Sequence, residues 1–200
     1  MKIKFIIFVL IFFFSNYLIA EDIEILSDKI KILNNGNIIN STNSQAVIKS
    51  KKLFLESDKS SYDKMEQKIY LEDNVKFLDQ NEDINITTDN AVYDQIEDIL
   101  ITDGKTIINY KKKYEIFSKK IIYNRKNQKI YSNSDTTIKD NDGNIYNIQT
   151  LFKLDLNKNI ISAKSVNIID NKNNIFYFEN SKINLNNNEV LGKEVKIDFV

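Results

Sequence analysis

The sequence predicts an all-β protein built from a unit of about 30 residues that recurs along the chain. Short apolar runs, such as residues 69–71, 75–77 and 99–101, are separated by polar residues, and they are rich in Ile, Tyr and Phe, which favour strands. After residue 20 no stretch keeps the i, i+3, i+4, i+7 spacing of an amphipathic helix. We therefore expect no helix longer than two turns in this part of the chain.

The first 20 residues predict a secretory signal peptide. Lys2 and Lys4 precede an unbroken apolar run over residues 5–14, and Ala20 stands at the expected cleavage position. An uncleaved membrane anchor is the alternative, because Leu18 is bulky for the position three residues before the cleavage site. The apolar stretch is nevertheless shorter than the roughly 20 residues that span a bilayer. Both interpretations export the remaining chain.

The repeat is defined by a residue followed by Asp or Asn, which recurs at intervals of 31, 30, 31 and 29 residues as Tyr62, Tyr93, Tyr123, Leu154 and Ile183. Seven positions later every unit has an apolar residue: Ile69, Leu100, Ile130, Ile161 and Val190. Nine positions later come mostly small residues: Leu71, Thr102, Ser132, Ala163 and Gly192. Fifteen positions later come Phe77, Ile108, Ile138 and Ile169. A degraded sixth unit begins near Leu33.

Such units cannot bury an apolar face alone, so we expect them to stack into an elongated body with two facing sheets, a β-solenoid. Strand alternation then places the seventh and ninth positions on the inner face, with Tyr70 and Tyr131 pointing outward. Turns are expected at Asn-Gly and Asp-Gly pairs and at Asn clusters between the apolar runs.

Composition argues against an enzyme. The chain has no His and no Cys, which removes the commonest catalytic bases, nucleophiles and zinc ligands, and it predicts neither a cofactor nor a disulfide. Its zero net charge lacks the basic excess of nucleic-acid binders. The acidic pairs at 82–83 and 97–98 lack the pattern of a calcium loop, and residues 140–143 predict a hairpin turn. Lysines 111–113 could meet an anionic group, but a solvated turn is the more common role of such a run.

Residues 84–94 and 99–108 follow a fixed order of motifs. An apolar strand leads to the sequence Ala-Val-Tyr93-Asp94, and a further strand follows Gly104. This motif order resembles the OstA-like domain of the lipopolysaccharide (LPS) transport proteins of Gram-negative bacteria, and most closely the N-terminal periplasmic part of the LPS-assembly family LptD. The resemblance covers about residues 45–200, which leaves 21–44 as an N-terminal segment or a degraded first repeat. Because no β-barrel sequence follows Val200, we expect an N-terminal fragment or a stand-alone periplasmic relative.

The resemblance implies a β-jellyroll, an open V of two sheets whose apolar groove holds the lipid part of LPS. The implied lining residues are Ile69, Leu71, Phe77, Leu100, Ile108, Ile130, Ile138, Ile161 and Ile169. It also implies a periplasmic, outer-membrane-associated protein whose strand edges dock other OstA-like Lpt proteins, and an outer-membrane β-barrel as partner. A bridge protein like LptA and an inner-membrane-anchored relative like LptC are alternatives within this superfamily.

Other interpretations remain open on the sequence alone. The same apolar positions could form a closed core without a groove. The repeat also permits a structural or adhesive β-solenoid at the cell surface. A glycan-modifying enzyme would need a carboxylate cluster, but Asp63, Asp94 and Asp155 recur where Asn also occurs, which is typical of turns.

Overall fold

The computed structural model describes residues 23–199, so the expected signal peptide lies outside the described part. The described residues form strands joined by turns and two short 3-10 segments, Asn34–Gly36 and Lys49–Lys51. The strands are β1 (Ile23–Leu26), β2 (Lys29–Leu33), β3 (Ile38–Ile48), β4 (Leu53–Asp63), β5 (Lys68–Asp79), β6 (Ile84–Asp94), β7 (Ile99–Asp103), β8 (Thr106–Tyr110), β9 (Tyr114–Ser118), β10 (Ile122–Asn124), β11 (Lys129–Ser132), β12 (Thr136–Asp140), β13 (Ile145–Thr150), β14 (Phe152–Asp155), β15 (Ile160–Ile169), β16 (Ile175–Asn184) and β17 (Glu189–Asp198). The all-β prediction is therefore confirmed. Within residues 23–199 there is no helix of the length and apolarity that a membrane crossing requires.

The strands form one antiparallel arrangement that is folded in two along a line that we call the bend line. Long strands such as β4, β5 and β6 cross this line, so that each contributes one half to a first sheet and the other half to a second sheet. Between them, shorter strands serve one sheet only: β8, β9, β12 and β13 the first, and β7, β10, β11 and β14 the second. The result is a V-shaped jellyroll, which agrees with the expected fold.

The two sheets end in different strands at one end of the body and share one edge strand at the other. At one end β1 pairs with the second half of β3 and β2 with its first half, so β1 and β2 are the outermost strands of the first and second sheet. At the other end β17 pairs along most of β16 and is the last strand of both sheets.

The chain bends where its backbone leaves the extended conformation. Asn43, Asp73, Asn74 and Asn180 have positive φ at the middle of their strands. Asn and Asp adopt this left-handed conformation more readily than other non-glycine residues. Asp73 and Asn74 interrupt the pairing of β5 with β4 and with β6, and Asn43 and Asn180 interrupt the β3–β4 and β15–β16 pairings. Asn and Asp residues in the middle of these strands therefore determine where the chain bends.

Turns at the ends of the second sheet form a row that reproduces the sequence repeat. Backbone N–H groups of Gln95, Arg125, Leu156 and Leu185 each donate to a carbonyl in the preceding turn, at 2.8–3.0 Å. The first sheet has an equivalent row, in which Lys111 N donates to Asp83 O at 2.9 Å. Each unit thus adds two strands to each sheet and one turn to each row, which is the physical basis of the period.

Candidate lipid-binding interior

The structure places eight of the nine expected lining residues on the inner faces, each no more than 2% exposed: Ile69, Leu71, Phe77, Leu100, Ile108, Ile130, Ile138 and Ile161. The ninth, Ile169, is wrong by one residue. In the fourth unit Ile168 points inward, opposite Tyr146 and Phe176, whereas Ile169 lies on the outer face between Ile145 and Ile175. The shift arises within β15 at the bend line, because only two residues separate the buried Ala163 and Val166, whereas three separate the equivalent buried residues Leu71 and Val75.

The outward prediction agrees with the structure. Tyr70 is exposed and Tyr131 is half-buried on the outer face of the second sheet, while their neighbours Ile69 and Ile130 are buried. The strand register inferred from the repeat is therefore correct in these units.

The space between the sheets is filled in the middle of the molecule. Phe77, on the first sheet, packs against Tyr93 and Tyr123 of the second sheet, with ring centroids 5.9 and 6.2 Å apart. All three side chains are fully buried. The closed-core alternative therefore describes this central section, and a lipid chain can occupy it only if the sheets move apart.

A column of hydroxyl groups follows the bend line inside the V. Thr106 Oγ1 donates to Thr102 Oγ1 and shares a hydrogen bond with Thr88 Oγ1, both at 2.9 Å. One unit later Ser118 and Ser132 are 2.9 Å apart, and Thr136 Oγ1 donates to Ser118 Oγ at 3.2 Å. These residues are buried, so their mutual hydrogen bonds satisfy polar groups that would otherwise be costly to bury. Thr102 and Ser132, at the ninth position of their units, belong to this column.

The side of the V opposite the bend line, where the two rows of turns face each other, is here called the mouth. In each unit the second residue after the repeat anchor points into the mouth: Gln95, Arg125, Leu156 and Leu185, all buried. In the first unit the equivalent residue, Lys64, is exposed. The mouth is therefore covered by polar residues in its middle and by leucines toward β17.

Five residues form the polar cover, which we call the Arg125 cluster: Lys51, Asp79, Asp98, Tyr123 and Arg125. Arg125 Nε donates to Asp79 Oδ2 at 2.6 Å, and Nη1 donates to both oxygens of Asp98 at 2.9 Å. Tyr123 Oη donates to Asp79 Oδ2 at 2.8 Å. Lys51 Nζ lies 3.6 Å from Asp98 Oδ1. Asp79 and Lys51 belong to the ends of the first sheet and the other three to the second, so the cluster joins the sheets across the mouth.

Burial and charge act together on these groups. Burial opposes the charged guanidinium, but hydrogen bonds and charges from Asp79 and Asp98 outweigh that effect and raise the pKa of Arg125. Burial, followed by the adjacent Asp79 carboxylate, raises the pKa of the Tyr123 hydroxyl. Arg125 is thus a permanent cation, and Tyr123 remains a neutral donor over the physiological range.

Beyond the cluster, neutral contacts close the mouth. Tyr110 Oη donates to Asn159 Oδ1 at 2.6 Å, and Tyr114 Oη donates to the Leu185 carbonyl at 3.2 Å. Burial also raises the pKa of Tyr110. Together with the buried leucines 156 and 185, these contacts make this section of the mouth more apolar than the middle.

At both ends of the body, inner-face apolar residues are uncovered, because within residues 23–199 no further strand pairs with the edge strands. Ile30 and Ile32 on β2 are 52% and 63% exposed, and Ile197 on β17 is 45% exposed. The interior is therefore closed along the middle and accessible at its ends.

Two other predicted features lie at turns. Lys111 Nζ donates to Asn159 Oδ1 at 2.6 Å and lies 5.0 Å from the Tyr110 ring centroid, so it helps to cover the mouth. Asp140 Oδ1 accepts the backbone N–H groups of Asp142 and Asn144 at 3.0 and 2.9 Å, as expected for a hairpin turn. Among residues 23–199, no group of three or more acidic side chains is arranged to hold a metal ion.

Sequence reasoning missed the Arg125 cluster. Its charged members are far apart in the chain, and Asp79 belongs to the end of a strand rather than to a motif. A signal was present in the second position after each anchor, where Gln95, Arg125, Leu156 and Leu185 interrupt runs of turn residues.

The sequence comparisons agree with this architecture. Residues 20–130 match the family model described as lipopolysaccharide-assembly, LptC-related. No curated protein sequence matches the chain. The family match covers more than half of the chain and includes the first three repeat anchors together with the Arg125 cluster. It supports the expected resemblance at the level of the lipopolysaccharide-transport superfamily, but not specifically the outer-membrane assembly family LptD. The chain belongs to the LptC-related family of lipopolysaccharide-assembly proteins.

Proposed function

We propose that the space between the sheets binds the acyl part of lipopolysaccharide and relays it along the axis of the repeats. The observation that carries this proposal is the inner apolar surface, which continues from the buried middle to exposed residues at both ends, Ile30 and Ile32 on one side and Ile197 on the other. A surface that is apolar along its length and uncovered at its ends suits a molecule that passes from one domain to the next.

The energetics make such a surface useful. Each methylene exposed to water costs about 0.8 kcal/mol, so one acyl chain of about 12 carbons would cost roughly 10 kcal/mol in an aqueous compartment. Leu100, Ile130 and Ile161 occupy equivalent inner positions in successive units. An acyl chain placed against them would keep its apolar surroundings while it moves.

The edges suggest how the relay continues. Within residues 23–199, β1, β2 and β17 each pair with a strand on one side only, and such edge strands can pair with another sheet. We propose that these edges dock other OstA-like domains of the transport system and that the chain works in the periplasm. The family match supports a bridge protein near the inner membrane at least as well as it supports association with the outer membrane. These locations can be distinguished by separating the inner and outer membranes of the cell and measuring which membrane fraction contains the protein.

The test is photo-crosslinking to LPS from single positions in the full chain. A photoreactive aliphatic residue at 100, 130 or 161 should label LPS, because these side chains are buried on the inner face. The matched controls are Tyr70 and Tyr131, which follow the inner residues Ile69 and Ile130 but point outward. Each variant is first compared with the unmodified protein by far-ultraviolet circular dichroism. Equal labelling from inner and outer positions would refute the proposal and would favour a structural or adhesive role.

A further inference from the structure

The Arg125 cluster differs from the neighbouring section of the mouth because it contains ion pairs between opposite charges. Arg125 pairs with Asp79 of the first sheet at 2.6 Å and with Asp98 of its own sheet at 2.9 Å. The neighbouring section is closed by tyrosine hydroxyls, by Lys111 on the amide of Asn159, and by Leu156 and Leu185.

This difference determines at which section of the mouth the two sheets separate with the smallest free-energy cost. When leucines separate, apolar surface meets water, and the cost grows with the area exposed. When a buried ion pair separates, water hydrates both charges, and this hydration free energy offsets most of the attraction that is lost. The charges in the cluster also balance, with Lys51 and Arg125 against Asp79 and Asp98, so an open cluster leaves no excess charge beside the interior.

The cluster also covers the apolar interior directly. Tyr93 and Tyr123 donate hydrogen bonds to Asp98 and Asp79 at 2.5 and 2.8 Å, while their rings pack against Phe77. A molecule that enters here meets charged and hydroxyl groups at the rim and aromatic and aliphatic groups below. This order of surfaces matches an amphiphile with an anionic or sugar headgroup and acyl chains.

We infer that lipid enters the interior sideways through the mouth at the Arg125 cluster, and that Arg125 is the positioning residue that determines this entry. The inference rests on the proposed function, because it concerns access to the same interior. In the closed state the guanidinium, anchored by Asp98 on its own sheet, holds the two sheets together through the Asp79 carboxylate and the Lys51 carbonyl. In the open state the acyl chains pass between the sheets while Arg125 and Lys51 remain at the hydrated rim.

Cysteine pairs test the inference, because the chain contains no cysteine of its own. The cluster pair is Lys51→Cys with Gln95→Cys, chosen because Lys51 Nζ contacts the Gln95 carbonyl across the mouth at 3.0 Å. The matched control pair is Lys111→Cys with Asn159→Cys, whose native side chains also meet across the mouth, at 2.6 Å. Each protein is compared before and after reaction with a short bis-maleimide, so each serves as its own reference.

The measurement is the rate at which radiolabelled lipid A, presented in detergent micelles, co-elutes with the full chain in gel filtration. Linking the cluster pair should slow loading about tenfold or more, because the entry can no longer widen, and linking the control pair should change it less than about twofold. Equal loading before and after linking of the cluster pair would overturn the sideways entry and leave the proposed function standing. If the unlinked proteins take up no lipid A, both proposals fall.

A substitution gives a second readout. Arg125→Lys keeps the positive charge but cannot bridge two carboxylates with a planar fork of donors, so it should load lipid A several times faster, about threefold or more. A loading rate equal to that of the unmodified protein would show that Arg125 does not control entry. Spin labels on half-buried Glu82 and exposed Lys126 report the width of the mouth without lipid, and this width should increase in the same variant.

Discussion

The substitution Arg125→Leu tests whether the buried charges depend on one another. Leucine fits the environment in principle, since Leu156 and Leu185 occupy the same position in later units. Asp79 is fully buried, however, and would lose its ion pair with Arg125. Removing one partner from a buried pair costs about 3–5 kcal/mol, because the other charge stays uncompensated. We therefore expect the free energy of unfolding to fall by about that amount.

Two variants isolate the cause of this loss. Lys126→Leu changes a cation in the same turn, where an exposed pair with Glu97 spans 3.6 Å, so it should cost less than about 0.5 kcal/mol. Arg125→Leu combined with Asp79→Asn replaces the unpaired carboxylate with a neutral amide that can still accept from Tyr123. The double variant should regain about 1–3 kcal/mol relative to Arg125→Leu alone.

Urea unfolding of the full chain, followed by far-ultraviolet circular dichroism, measures these differences. The slopes of the unfolding curves must agree among the variants if the values are to be compared as two-state free energies. An Arg125→Leu variant as stable as Lys126→Leu would refute the reasoning, because it would mean that Asp79 is hydrated rather than buried. So would a double variant that is less stable than the single one.

Two further predictions concern backbone and tyrosines. Gly104→Ala should cost at least about 1 kcal/mol more than Gly36→Ala in urea unfolding, because both positions have positive φ but only at Gly104 would the added methyl meet a side chain, that of Asp89. If the two variants lose equal stability, the crowding at Asp89 is absent. Burial and adjacent carboxylates raise the pKa of Tyr123 and Tyr146, so their stabilising effect is complete below about pH 10, where unfolded tyrosine ionises, and is lost as pH rises further. Phenolate absorbance should therefore rise together with the loss of circular dichroism, and separate ionisation in a folded protein would contradict this.

The period was predictable because it follows from hydrogen bonds between equivalent turns. Ile69, Leu100, Ile130 and Ile161 recur at one offset, since each occupies the same place in its unit and faces the same interior. Offsets counted from an anchor fail where the number of residues at the bend line changes, as it does between Ala163 and Val166 before Ile169. Local pattern therefore predicts the strands and most of the lining.

The bend line and the mouth could not be read in the same way. Asp79 and Arg125 are 46 positions apart, and their contact exists only because two sheets fold over each other. The hydroxyls of Thr88 and Thr106 likewise meet through the fold of the chain. Such pairs depend on three-dimensional arrangement, for which a single sequence carries no periodic signal.

The rows of bonded turns have a consequence for the size of this protein. Residues 95–124 form one unit that adds β7 and β10 to the second sheet and β8 and β9 to the first. With strands about 4.8 Å apart, each unit lengthens the body by about 10 Å. The N–H of Leu156 would find in the turn at 95–98 the same kind of carbonyl that it now finds in the turn at 125–128. The length of the body can therefore change by one unit at a time, through duplication or loss of about 30 residues, while the inner and outer faces of both sheets keep the same residue pattern.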